Sequence, residues 1–164
     1  MIVVADTSPL NYLILIGHVD LLPYFYGTVN VPPAVWSELN DTRAPQAVRE
    51  WVVRPPEWVV QVDVAFDPRD LPDDLERGEQ EAIALAELLR ADRLLVDETN
   101  ARKEATRRNI PIIGTLGVLS NAAAAGLINL QNALAELRKT SFFASPELIL
   151  RLLEEDARRQ KQSG

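Results

Sequence analysis

A chain of 164 residues can bury one substantial core and is too short for two comfortable domains. Its 47% hydrophobic and 25% charged residues are those of an ordinary globular protein, and no apolar run approaches the roughly 20 residues that span a bilayer. The absence of cysteine excludes disulfides and thiolate metal sites, the lone His18 excludes imidazole-rich zinc centres, and the net charge of −7 argues against broad attraction to nucleic acid. Without a basic n-region or small-residue cleavage site at the start, a cytoplasmic protein with no membrane partner is expected. His18, beside Gly17 where a helix ends, reads as a surface or capping residue rather than a triad base.

Residues 1–5, MIVVA, are short, β-branched and apolar, as in a strand buried on both faces. Asp6-Thr7-Ser8-Pro9 follows, then a helix from Leu10 to Gly17, capped by Thr7 or Ser8 with Pro9 in its first turn. TVNVPP is a second strand stopped by Pro32 and Pro33, and AVWSELN opens a helix with Val35, Trp36 and Leu39 as its apolar face. Ala44 to Val53 is helical, and WVVQVDV is an edge strand or extended segment. The proline-rich FDPRDLPDDLERG is a loop ahead of the helix EQEAIALAELLRA. DRLLVDE and IPIIGT are short strands on either side of the basic helix NARKEATRRN. LGVLSNAAAAG is a helix closed by Gly126, Asn129–Leu137 and Pro146–Arg159 are two more, and RRQKQSG frays. Short apolar strands alternating with amphipathic helices predict a three-layer α/β/α domain around a mostly parallel sheet.

In such a sheet, ligands gather beyond the carboxyl ends of the strands. Asp6 stands there on the first strand, and Asp97 and Glu98 stand there after LLV. Glu79 and Glu81 open the helix just upstream, and Glu38 lies one turn into the helix after VNVPP. Singly, each has a plain explanation. Asp6 can cap a helix, Asp97-Glu98 can form a turn, and Glu38 can face solvent, while Glu79 and Glu81 complement a helix dipole. Together, carboxylates converging on one edge repel unless a cation neutralises them, and oxygen-only ligation suits Mg²⁺ or Mn²⁺. Thr7, Ser8 and Thr99 are placed to hydrogen-bond the carboxylates, and Thr115 after IIG points to the same edge. The chemistry implied is metal-assisted hydrolysis of a phosphodiester. A phosphotransfer aspartate is disfavoured because the DxD expected for that chemistry is missing, position 8 being serine.

ADTSPLNYL, VPPAVWSEL, GEQEAIALA, LLVDETNARKEA and PIIGTLGVL, in that order over residues 1–140, resemble PIN-domain proteins. They look most like the prokaryotic branch grouped with VapC-type toxins, which carries a GExEAI pattern. The resemblance implies a nuclease domain over 1–140, with 141–164 as a helical extension packed on it. It also implies an acidic quartet that binds Mg²⁺ or Mn²⁺ and cleaves RNA, a homodimer, and an antitoxin protein as partner. Carried over residue by residue, Asp6 matches the first acid and Glu38 the second. The third, normally an aspartate, falls on Glu79 and the fourth on Asp97, with Glu81 and Glu98 as alternates. A glutamate in the third place leaves open a second reading, a non-catalytic RNA- or protein-binding module.

Arg102, Lys103, Arg107 and Arg108 lie on or near one helix. Arg102 and Lys103 are the candidates for an RNA backbone; a solvated face is the plainer reading of Lys103, Arg107 and Arg108, and a salt-bridge role is the alternative for Arg102. Trp36, Trp51 and Trp58 sit at apolar positions and read as core or interface. Leu148, Leu150, Leu152 and Leu153 form an apolar stripe for intramolecular packing, a dimer face or an antitoxin groove.

Overall fold

Val3, Val4 and Ala5 are completely buried, so this apolar tripeptide is covered on both faces, and it forms the central strand of the fold. The computed structural model describes residues 1–163. Strands β1 (Val3–Ala5), β2 (Val29–Val31), β3 (Val59–Gln61), β4 (Arg93–Leu95) and β5 (Ile112–Ile113) form one sheet in the order β3-β2-β1-β4-β5. Every pairing is parallel, and Val3, Val4 and Ala5 stand opposite Arg93, Leu94 and Leu95. The expected α/β three-layer architecture is the one observed, with a sheet that is parallel throughout.

The helices are α1 (Thr7–Leu15), α2 (Leu21–Tyr26), α3 (Pro33–Leu39), α4 (Gln46–Val53), α5 (Arg77–Leu89), α6 (Thr99–Arg107), α7 (Thr115–Ala124), α8 (Leu130–Arg138) and α9 (Pro146–Ser163). Side chains alternate across a strand, so Val4, Leu94 and Val96 share one face. There they join Ala82, Ile83, Leu85 and Ala86 of α5 and Ala101 and Ala105 of α6 in a single cluster. The segment after β3 covers part of this cluster with Val62, Val64 and Phe66, and Leu71 and Leu75 of the proline-rich loop are buried in it. That loop is therefore pinned by two apolar anchors and a short 3-10 turn at Pro68–Asp70.

Three local expectations are revised. Helix α1 starts at Thr7, so Asp6 rather than Thr7 or Ser8 holds the cap position. Helix α2, LLPYFY, went unread because Pro23 and three aromatic residues mask the period, and only Leu21 and Leu22 are buried. Helix α9 continues through Ser163, so the segment expected to fray is helical; Asp156 accepts from Arg159 and Gln160 one turn on. Gly164 lies outside the described residues.

The chain divides into two compact units, residues 1–115 and the remainder from Leu116 onward. In the second unit α8 packs on α9, and Leu134, Leu137, Phe142, Ala144, Pro146 and Ile149 line a largely apolar cavity of about 330 Å³. Of the leucine stripe, Leu148, Leu152 and Leu153 are half-buried and Leu150 is exposed. No helix among the described residues is long and apolar enough to cross a membrane.

Candidate functional site

The chain lays β2 and β3 on one side of β1 and β4 and β5 on the other, so the sheet reverses its winding between β1 and β4. A crevice opens beyond the strand ends at such a reversal. Asp6 follows β1 directly, and its backbone N–H continues the ladder by donating to Leu95 O at 2.9 Å. Asp97 lies two residues beyond β4. Parallel pairing thus places both aspartates at one edge of the sheet.

Asp6 is 3% exposed, and its Oδ1 is buried with no hydrogen-bond partner. It occupies the N-cap position of α1, yet its side chain makes no capping bond. Burial pushes its carboxyl up to about 8, the Thr7 N–H pulls the other way, and Glu79, Glu38 and Asp97 add to the rise. A buried carboxylate oxygen without a donor is costly, and Asp6 is therefore short of a positive partner.

Helices α3 and α5 exchange carboxylates at their N-termini. Glu38 of α3 accepts from the Gly78 N–H in the first turn of α5 at 3.2 Å, and Glu81 of α5 accepts from the Ala34 N–H in the first turn of α3 at 2.9 Å. Each acid thus meets unpaired amides at the positive end of the other helix, an arrangement worth about 1 kcal/mol apiece. The Thr7 hydroxyl donates to the other oxygen of Glu38. A Cβ on Gly78 would lie 2.8 Å from both Oε1 and Cδ of Glu38, so glycine is required where the carboxylate crosses the helix. The second oxygen of Glu81 accepts from Arg77 Nε at 2.7 Å, so this glutamate is turned toward α3 and Arg77.

Glu79, two residues before Glu81, faces elsewhere on the helix. Its Oε1 accepts from the Glu76 N–H at 2.8 Å, half of a capping box that starts α5. Burial raises its pKa, the Glu76 N–H lowers it, and the charges of Glu76, Glu98 and Glu38 raise it again. Asp6, Thr7, Ser8, Glu38, Asp41, Arg43, Ala44, Glu76 and Glu79 line one open cleft of about 410 Å³. Asp41, Arg43 and Glu76 went unread in the sequence. Glu76 had a usable signal in its three-residue spacing to Glu79; Asp41 and Arg43 lie in a loop and had none.

Asp97 is held from the far side. Its Oδ1 accepts from the Thr115 N–H and its Oδ2 from the Thr115 hydroxyl, both at 2.7 Å. Burial raises its pKa, while the two Thr115 bonds and the Arg102 charge lower it. Thr115, fully buried, thus serves Asp97 directly. Arg102 is half-buried and donates through Nη1 to Val96 O at 2.9 Å. Glu98 is the exposed N-cap of α6, with Thr99 exposed beside it. Arg107 and Arg108 are not a free basic face: both bind the buried Glu104, and Arg108 also bridges to Glu87 and to Asp70 O. Lys103 is exposed. Trp51 and Trp58 pack on each other with ring centroids 5.9 Å apart.

A family model for the PIN domain matches residues 2–157. The chain belongs to the PIN-domain family. Among solved structures, the fold of this PIN domain is similar to that of a PilT N-terminus domain protein from the hyperthermophilic archaeon Sulfolobus solfataricus. The TM-score is 0.50 at 13% identity, covering 88% of this chain and 100% of the other. Comparison with proteins of curated function gave no match. PIN domains are in general nuclease-type domains that use divalent metals.

The residues present fit such an ion. The donors are all oxygen, one of them is buried without a partner, and the carboxyls are raised by burial and by one another. No three of them stand in a preformed coordinating group among the described residues. Mutual repulsion between carboxylates favours that separation.

Proposed function

We propose that this PIN domain is a metal-dependent endoribonuclease, with Asp6, Glu38, Glu79 and Asp97 as the ligands of Mg²⁺ or Mn²⁺. The carrying observation is the buried, unpartnered Oδ1 of Asp6 at the sheet's reversal point, electrostatically coupled to the other three acids. Held by these residues, a divalent cation would supply a lowered pKa to bound water and would draw charge from phosphodiester oxygens.

The protein's own part is to fix the acids. Asp6 sits on a rigid strand tip, Glu38 is pinned by Thr7 and Gly78, and Asp97 is pinned by Thr115. Glu79 has Oε2 left after its bond to the Glu76 N–H, and that oxygen is the one it can offer a cation. The VapC-like motifs support a finer reading as a cytoplasmic toxin, homodimeric and restrained by an antitoxin protein.

Purified protein should cut single-stranded RNA with Mg²⁺ or Mn²⁺ and lose that activity in EDTA or on Asp6→Asn. Cleavage surviving both treatments overturns the mechanism. A non-catalytic RNA- or protein-binding module is the second reading, favoured by a glutamate in the third place with one oxygen already bonded to backbone. Calorimetric titration with Mn²⁺ separates the two: a site that takes up no Mn²⁺ supports the module.

A further inference from the structure

The cleft is acidic on almost every side, yet its substrate under the nuclease reading is a polyanion. Arg43 is the one basic side chain among its described lining residues. It lies in the loop between α3 and α4 and is none of the four acids. Asp41 tethers it, accepting from the Arg43 backbone N–H at 2.8 Å, from Nε at 3.0 Å and from Nη2 at 3.3 Å. These bonds pull the Asp41 carboxyl down to about 2, so the tether stays ionised across the working pH range.

One edge of the guanidinium is thereby occupied. Of its five N–H groups, two are directed at Asp41, and Nη1 makes no hydrogen bond among the described residues. The remaining Nη1/Nη2 edge is a planar fork of the kind that takes two phosphate oxygens at once. We propose that Arg43 is a substrate-contact residue, gripping a backbone phosphate of the RNA next to the one cleaved, with Asp41 holding its guanidinium in place. This rests on the nuclease reading above.

Asp67 and Arg69 supply an internal control. They repeat the same two-residue spacing and the same bonds, with Arg69 N, Nε and Nη2 all donating to Asp67. Arg69 does not line the cleft. The local pair alone is thus a common loop device, and position on the cleft is what distinguishes Arg43.

The test compares wild type, Arg43→Ala, Arg43→Lys and Arg69→Ala as full chains. Both arginines are about nine-tenths exposed, 90% and 89%, so their removal leaves the fold intact. Cleavage of a labelled single-stranded RNA 12-mer with Mn²⁺ gives kcat and KM. Anisotropy of the same RNA with the Asp6→Asn protein, over a range of salt, gives affinity without turnover.

Arg43→Ala should raise KM about tenfold with kcat within about twofold, and should reduce the salt slope of binding by about 0.7, one phosphate contact on a single strand. Arg43→Lys should fall between, because it keeps the charge and loses the fork. Arg69→Ala should match wild type. An equal loss in Arg69→Ala reduces the effect to net charge and overturns the assignment, as does a fall in kcat at constant KM. In both cases the nuclease reading stands. Failure of the wild-type chain to bind or cut RNA overturns both.

Discussion

Gly78→Ala sets two effects of known size against each other. In a helix interior, alanine is better than glycine by about 1 kcal/mol. Gly78 lies in the first turn of α5, where a Cβ would stand 2.8 Å from Oε1 and Cδ of Glu38. Relief requires the carboxylate to move, which breaks its bonds to the Gly78 N–H and to the Thr7 hydroxyl. At a half-buried position two such bonds are worth about 2–3 kcal/mol together. The net change is thus a loss of about 1–2 kcal/mol, a fall of roughly 2–8 °C in Tm for a chain of this size.

Metal affinity should respond far more. Displacing Glu38 removes a proposed ligand from the cleft, and losing even an outer partner of a metal ligand costs about 10–100-fold. Thermal denaturation in EDTA and Mn²⁺ calorimetry on the same samples read the two effects separately. A Gly78→Ala protein that gains the full helix-propensity increment and binds Mn²⁺ like wild type would refute the claim that Glu38 is held against this glycine.

Stability without metal should fall as pH rises. Asp6 sits at about 8 in the folded protein against an ordinary 3.8, so between those values the folded chain keeps a proton that the unfolded chain releases. That stability is complete below about pH 4 and drains through pH 8 by up to about 1.4 kcal/mol per unit, with the raised Glu79 and Asp97 acting in the same direction. Urea midpoints in EDTA should therefore drop from pH 5 to pH 8 and recover with Mn²⁺; a midpoint in EDTA that climbs over that interval contradicts the burial argument. Glu81→Gln should leave Mn²⁺ affinity within about twofold, because its amide oxygen can still accept from Ala34. It should cost about 1 kcal/mol or less for the lost ion pair with the exposed Arg77. Glu79→Gln should instead weaken Mn²⁺ binding, and equal losses in the two variants would show that the two glutamates have not been told apart.

The two central strands were legible because parallel strands buried on both faces appear as apolar runs, VVA and LLV, whereas VNV, broken by Asn30, was legible from the two prolines that stop it. Asp6 and Asp97 were legible for the same reason: an acid ending such a run can only stand at a strand tip. Helix α2 was not, since a six-residue helix containing proline offers no period to read. The basic look of α6 misled in part, because Glu104, in the same run, takes both Arg107 and Arg108.

The choice between Glu79 and Glu81 shows where local pattern ends. Two residues on a helix are about 200° apart, so the sequence can say that only one of them faces the cleft, and the family resemblance prefers Glu79 while keeping Glu81 as its alternate. Packing of α5 against α3 decides it, turning Glu81 to the Ala34 amide and leaving Glu79 on the cleft. The sequence by itself determined the layers, the strand tips and the excess of carboxylate around them, because these follow from hydrophobic period and chain direction. Tertiary structure alone decided which oxygens are already spent on backbone amides and which, as with Oδ1 of Asp6, are left without a partner. Hydrogen bonds between residues 40 or more positions apart, such as Glu38 to Gly78, form only once the helices are packed.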